Sequence, residues 1–174
     1  MRKGFTLIEL LIVIGIISIL ATAVVLVLNP AQLLAQARDS TRISDLGSIK
    51  SAIGLYLATA TSPAVTAEAR STASSTCAFT TCVVPLAAAL QDTDGTGWVA
   101  INLSNTTGGS ALSVLPLDPT NTATYQYAYK GDATDLTFEL DATLESIKYS
   151  GMKDTDGGNS PVYYEVGTEP GLDL

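Results

Sequence analysis

Three places in the chain hold side chains whose type and spacing could do chemistry. Glu9 is a lone carboxylate in MRKGFTLIELLIVIGIISILATAVVLVLNP, which is otherwise apolar from Phe5 to Leu28. Cys77 and Cys82 bracket the segment CAFTTC and are the only 2 cysteines. Asp154, Asp156 and Asn159 crowd into KDTDGGN. Glycines there let the backbone fold tightly, so closely spaced oxygens can converge on a hard cation such as Ca²⁺. The pattern is not an EF-hand, because the third ligand and the closing glutamate are wrongly placed. A solvated acidic turn is the alternative, and DTDG at Asp92–Gly95 reads as another such turn.

What the chain lacks narrows the chemistry further. It contains no histidine, which excludes a Ser-His-Asp triad and a His-ligated zinc. No nucleophile and base form a recognisable constellation, so an enzyme is not expected. Asp and Glu number 17 against 9 Lys and Arg, for a net charge of −8. Phosphate binding needs clustered cations, and no cluster exists, so no nucleic-acid binding is expected.

The elements that position these groups begin with the apolar stretch. As helix, Phe5 to Leu28 reaches about 36 Å, enough to cross a hydrocarbon core of about 30 Å with some tilt. Arg2 and Lys3 are the flanking charges, so the positive-inside tendency keeps the N-terminus cytoplasmic and sends the rest outward. A cleaved secretory signal is the competing reading, supported by Ala35-Gln36-Ala37. Against it stand the length of the apolar run and the position of that tripeptide beyond Pro30. An acidic side chain at a bilayer centre costs on the order of 3 kcal/mol, which makes Glu9 a functional candidate. Snorkelling to the nearby interface is the equal alternative from charge physics alone.

The segment Gly4-Phe5-Thr6-Leu7-Ile8-Glu9-Leu10, preceded by Arg2 and Lys3 and followed by the apolar run, resembles the leader and N-terminal helix of type IV pilins and type II secretion pseudopilins. The resemblance implies cleavage between Gly4 and Phe5 by a prepilin peptidase, then methylation of the new Phe5 amine. It also implies an inner-membrane assembly platform and a homo-oligomeric filament whose helices form the core. Glu9 would be the assembly residue, facing the Phe5 amine of a neighbouring copy and not a group of its own chain. Its implied localisation is a single-pass cytoplasmic membrane protein before assembly and a cell-surface or periplasmic filament after it. The implied function is a pilus subunit serving adhesion, motility or DNA uptake. A major pseudopilin of type II secretion is the alternative, and a single-span anchored binding protein that never polymerises is the second.

Beyond the span, Ile43, Leu46, Ile49, Ile53 and Leu57 recur at helical spacing, while Arg38, Asp39, Arg42 and Asp45 fall mostly off that stripe. One long helix over about residues 5–60 is expected, kinked near Asn29 and Pro30. Residues 59–76, rich in Ser, Thr and Ala, read as a surface loop. A short helix is expected in VPLAAALQD and strands at Trp98–Leu103, Tyr125–Tyr129 and Leu136–Leu140, with the last hairpin turning around Gly131-Asp132. The fold class is therefore α+β and pilin-like: a long N-terminal helix packed against a C-terminal antiparallel sheet of three or four strands. Its parts are a leader at 1–4, a membrane and filament-core helix at 5–28, an amphipathic stalk at 29–60 and an extracytoplasmic head at 61–174. Outside the cytoplasm Cys77 and Cys82 are expected to form a local disulfide, with two buried thiols as the alternative. Leu115-Pro116-Leu117-Asp118-Pro119 followed by Tyr125 and Tyr127 resembles a segment of major pseudopilins and related pilins, although Thr120-Asn121 departs from that family's usual continuation. Calcium in the C-terminal loop is a property of major pseudopilins, so the resemblance favours a structural Ca²⁺ at Asp154, Asp156 and Asn159.

Overall fold

The computed structural model describes residues 4–174, apart from the side chains of residues 26 and 27. Arg2 and Lys3, the charges that orient the chain in the sequence reading, lie outside the described residues. The chain divides into two compact units, residues 1–35 and 36–174.

In the first unit, helix α1 spans Leu7–Leu28. Its long aliphatic side chains leave no polar face, and Leu7–Val25 has a mean hydropathy of 2.7. Among the described residues it is the one helix long and apolar enough to cross a membrane. The two hydroxyls inside it are satisfied by the helix itself: Ser18 Oγ donates to the Ile14 carbonyl at 2.7 Å and Thr22 Oγ1 to the Ser18 carbonyl at 2.9 Å. Such internal pairing is what hydrocarbon demands of a polar side chain. The expected single helix is two. Asn29 adopts φ of 40°, in the left-handed region, and ends α1; helix α2 starts at once as Pro30–Thr59. Proline lacks the N–H that would extend α1, yet its fixed φ suits a first helical position. The Asn29 carbonyl then accepts from the Gln32 N–H at 3.0 Å, so one residue closes one helix and opens the next.

In the second unit, α2 presents Leu46, Ile49, Ala52, Ile53 and Tyr56 to the core. Against them lies a four-stranded antiparallel sheet in the order β1 (Arg70–Ser71), β2 (Tyr127–Asp132), β3 (Thr137–Ala142), β4 (Tyr164–Gly167). Strand alternation sends Tyr127, Tyr129, Phe138 and Leu140 into the helix-facing core, where Trp98 joins them. The fold is thus α+β, with helix packed on sheet. The other face of β2 carries Ala128, covered by Cys77, Cys82 and Phe79.

Several local expectations differ from the structure. Trp98–Leu103 is not a strand: all its residues but Asn102 are buried, yet only an isolated bridge, Asp94 to Asn102, forms there before a 3₁₀ turn at Leu103–Asn105. Burial of Trp98 and Ile101 in the core came without sheet pairing, a distinction that alternation alone does not make. VPLAAALQD forms turns, not a helix. Within the 59–76 loop, Arg70 and Ser71 instead supply an edge strand paired with Tyr129 and Ala128. Gly131 and Asp132 lie inside β2 opposite Phe138 and Thr137; the hairpin turns later, where Asp132 Oδ1 accepts from the N–H groups of Thr134 and Asp135.

The largest departure concerns the stalk's charges. Asp39 and Arg42 are fully buried and continue the core stripe one turn below Leu46. The Arg42 guanidinium forms a two-pronged pair with Asp118, at 2.6 and 2.9 Å, and reaches Asp39 at 2.8 Å and Glu145 at 2.6 Å. Asp39 also accepts from the Ser146 N–H at 2.7 Å, and the Tyr125 ring stacks 5.0 Å from the guanidinium. Arg42 therefore ties α2 to two loops far away in sequence. Asp118 belongs to the LPLDP segment, so two stretches singled out separately in the sequence meet here.

Cys77 and Cys82 form a disulfide with a Cα–Cα distance of 6.0 Å. So short a closed loop constrains the unfolded chain by only about 2 kcal/mol. Cys77→Ser/Cys82→Ser is accordingly expected to keep its fold and to melt lower by roughly 4–8 °C. Thermal unfolding followed by Trp98 fluorescence checks this, and loss of all cooperative melting would contradict it.

Candidate functional site

The N-terminal site is built by helix-capping chemistry. Thr6 is extended at the N-cap of α1, and its Oγ1 accepts from the Glu9 N–H at 3.3 Å. Glu9 Oε2 returns to accept from the Thr6 N–H and the Thr6 hydroxyl, each at 2.8 Å. Thr6-Leu7-Ile8-Glu9 is thus a reciprocal capping box that satisfies two of the helix's unpaired N–H groups. The carboxylate also lies where the positive end of the helix dipole favours it. Within one chain Glu9 is thus held by Thr6, while its expected pairing with the Phe5 amine of a neighbouring copy belongs to the assembled state. The sequence signal of the capping box is a threonine three residues before a glutamate at the head of an apolar run, which the sequence analysis does not include.

Around this polar knot everything is apolar and exposed. Phe5 is 87% exposed, and Leu7, Ile8, Leu10 and Leu11 likewise project outward. Gly4 has open space at its Cβ position, and it precedes Phe5 in non-helical chain ahead of the helix. The arrangement offers an accessible peptide bond, a carboxylate held close to the chain start and a helix with no covered face. Chemically it can be cut, and it can be packed.

The loop residues with oxygen ligands are placed differently. Asp154 is exposed and pairs with Lys153 Nζ at 2.9 Å, and Asn159 is exposed. Asp156 accepts from the Gly158 N–H at 3.0 Å and from the Glu165 N–H at 2.9 Å, so its carboxylate holds the loop against β4. Beneath that loop the structure assembles a group that the sequence reading passed over. One carboxylate oxygen each from Glu139, Asp141 and Glu165 lies within 4.8 Å of the others. Glu139 and Asp141 share one face of β3 because they are two apart, and Asp141 sits directly across from Glu165. Burial pushes Glu139 up to about 7, with the Glu165 charge adding to it. Burial and the charges of Glu139 and Glu165 raise Asp141 well above the usual carboxylate range. Burial and the neighbouring Asp156 also raise Glu165. The only sequence hint was two acids alternating with core residues in Phe138-Glu139-Leu140-Asp141; Glu165 is too distant to be linked without the sheet.

No curated protein and no solved structure is similar enough to this chain to match it. Residues 1–25 match the family model described as the prokaryotic N-terminal methylation motif, and the chain therefore carries the prepilin-type leader of type IV pilins and pseudopilins.

Proposed function

We infer that the chain is the precursor of a structural subunit of a type IV pilus-like filament. Prepilin peptidase cuts between Gly4 and Phe5, the Phe5 amine is methylated, and α1 anchors the subunit in the cytoplasmic membrane with its head outside. An assembly platform then draws the subunit into a filament, where α1 packs among copies of itself. The observation that carries this reading is the leader match joined to a helix that is apolar all round and covered by nothing in its own unit. Such a helix needs lipid or other helices around it, and a filament core supplies the second.

Glu9 gives the packing a register. In a low-dielectric bundle an unpaired carboxylate is heavily penalised, while one facing an ammonium is strongly attracted, so a single axial stagger is selected. The free amine for that pair is created only by cleavage before Phe5. Processing would thus convert Glu9 from an intrachain cap into an interchain partner. The work is mechanical, and no group in this account performs catalysis on a substrate.

The leading test is mass spectrometry of the membrane-extracted protein together with imaging of cells with and without it. Expected are a methylated N-terminal Phe5 and surface fibres lost on deletion. A mature form that still begins at Met1 counts against polymerisation and favours a plain membrane anchor. Fibres unchanged while protein secretion fails would move the subunit to a type II secretion pseudopilus.

A further inference from the structure

The geometry points to a binding site for one divalent cation of the calcium class, held by Glu139, Asp141 and Glu165 on the face of the sheet that points away from α2. The proposal stands apart from the filament reading and does not need it. Asp141 is 2% exposed, and neither of its carboxylate oxygens receives a hydrogen bond from a donor among the described residues. Buried acceptors are almost always paired, so two bare oxygens on one buried carboxylate call for a partner. Like charges directly opposite across a strand pair destabilise a sheet, yet Asp141 faces Glu165 in register. No Lys or Arg forms an ion pair with any of the three among the described residues.

The dimensions suit the ion. Oxygens bound at about 2.3–2.6 Å to a common centre lie at most about 5 Å apart. The three carboxylates meet that limit at 4.8 Å. With no histidine and both cysteines in a disulfide, the ligands are oxygen only, which selects hard cations. Calcium takes three carboxylates readily, whereas magnesium keeps most of its water and uses one or two. A cavity of about 230 Å³ borders all three groups, with Asn159 and Ser160 on its wall, and gives an ion and its remaining waters access.

The surrounding loop is shaped to hold this arrangement. Glu165 Oε2 accepts from the Ser160 N–H at 2.8 Å, and Glu139 Oε2 from the Leu174 N–H at 3.0 Å, which leaves other lone pairs facing the cluster. At Gly158 a Cβ would fall 2.0 Å from Glu165 Oε2, so only glycine lets the loop close over that carboxylate. KDTDGGN is thereby a positioning loop, with Asp156 and Gly158 supporting Glu165.

The full-length chain in detergent micelles, stripped with chelator and titrated with CaCl₂, tests the site by calorimetry and by thermal unfolding. One Ca²⁺ per chain and a higher melting temperature are expected. Asp141→Asn should lose at least tenfold in affinity while melting no lower than wild type in chelator, because it removes a buried charge; Glu165→Gln should behave alike. Asp154→Asn should bind as wild type does. Absence of calcium binding by wild type, or undiminished binding by Asp141→Asn and Glu165→Gln, overturns the proposal. So does loss of binding in Asp154→Asn alone, which would put the ion in the loop.

Discussion

Glu9→Ala is expected to insert in the membrane and to be cut after Gly4, yet to enter no filaments. Insertion follows from the apolarity of α1, which the substitution only increases. Two roles of Glu9 compete to explain a loss of filaments. One is the cap on Thr6, which substitutions at such positions value at about 0.5–2 kcal/mol. The other is the charge pairing with the Phe5 amine of a neighbouring copy. Glutamine separates them, because its carbonyl can still accept from the Thr6 N–H but carries no charge. Glu9→Gln should therefore fail to assemble, whereas Thr6→Ala should lose only the cap and still make fibres, more slowly. Sheared-fibre yield by electron microscopy reads both variants. Normal fibres from Glu9→Gln would show that the cap is all that Glu9 contributes.

Arg42→Ala should cost about 3–5 kcal/mol of head stability, the range for breaking a buried ion pair from one side. It strands Asp39 and Asp118, whose side chains have no solvent access. Removing the second partner should then cost less than adding the two single losses, because Asp118→Ala in the Arg42→Ala background also removes a stranded charge. Arg42→Lys should fall between, since one ammonium cannot reproduce the two-pronged contact. Chemical denaturation followed by Trp98 fluorescence measures wild type, the two alanine variants, their combination and Arg42→Lys, and additive losses would argue against a coupled network.

The same network sets the acid limit of the head. Burial alone would raise Asp118, but the Arg42 guanidinium and the Thr120 N–H outweigh it and hold the carboxyl below its ordinary value. Glu145 is held low chiefly by Arg38, and also by Arg42. A depressed folded-state pKa contributes stability that is complete above the unfolded value, near 4, and disappears as pH falls through the folded one. Wild type should lose stability progressively below about pH 4. Arg42→Ala should show a much weaker dependence there, and an identical acid profile would contradict the assignment.

Much of this protein was readable along the chain because the relevant physics is local. An apolar run long enough to cross a bilayer, a leader with glycine before its expected cut and one acid at a fixed distance from it all lie within residues 1–28. Periodicity likewise placed Leu46, Ile49 and Ile53 on the core side of α2, and alternation found β2 and β3 to within two or three residues. Even the capping box is written in Thr6-Leu7-Ile8-Glu9, a threonine three residues before a glutamate at the head of an apolar run. Tertiary structure decided whatever depends on residues far apart. Spacing put Asp39 and Arg42 mostly off the apolar stripe, but Asp118 and Glu145, more than 70 positions away, supply the neutralisation that lets them sit at 0% exposure. Trp98 and Ile101 are core without being strand, because burial needs only neighbours while a strand needs a hydrogen-bonded partner. Glu139, Asp141 and Glu165 gather only once β3 and β4 pair in register. A carboxylate's neighbours across a sheet are a property of that register, and no single stretch of sequence contains it.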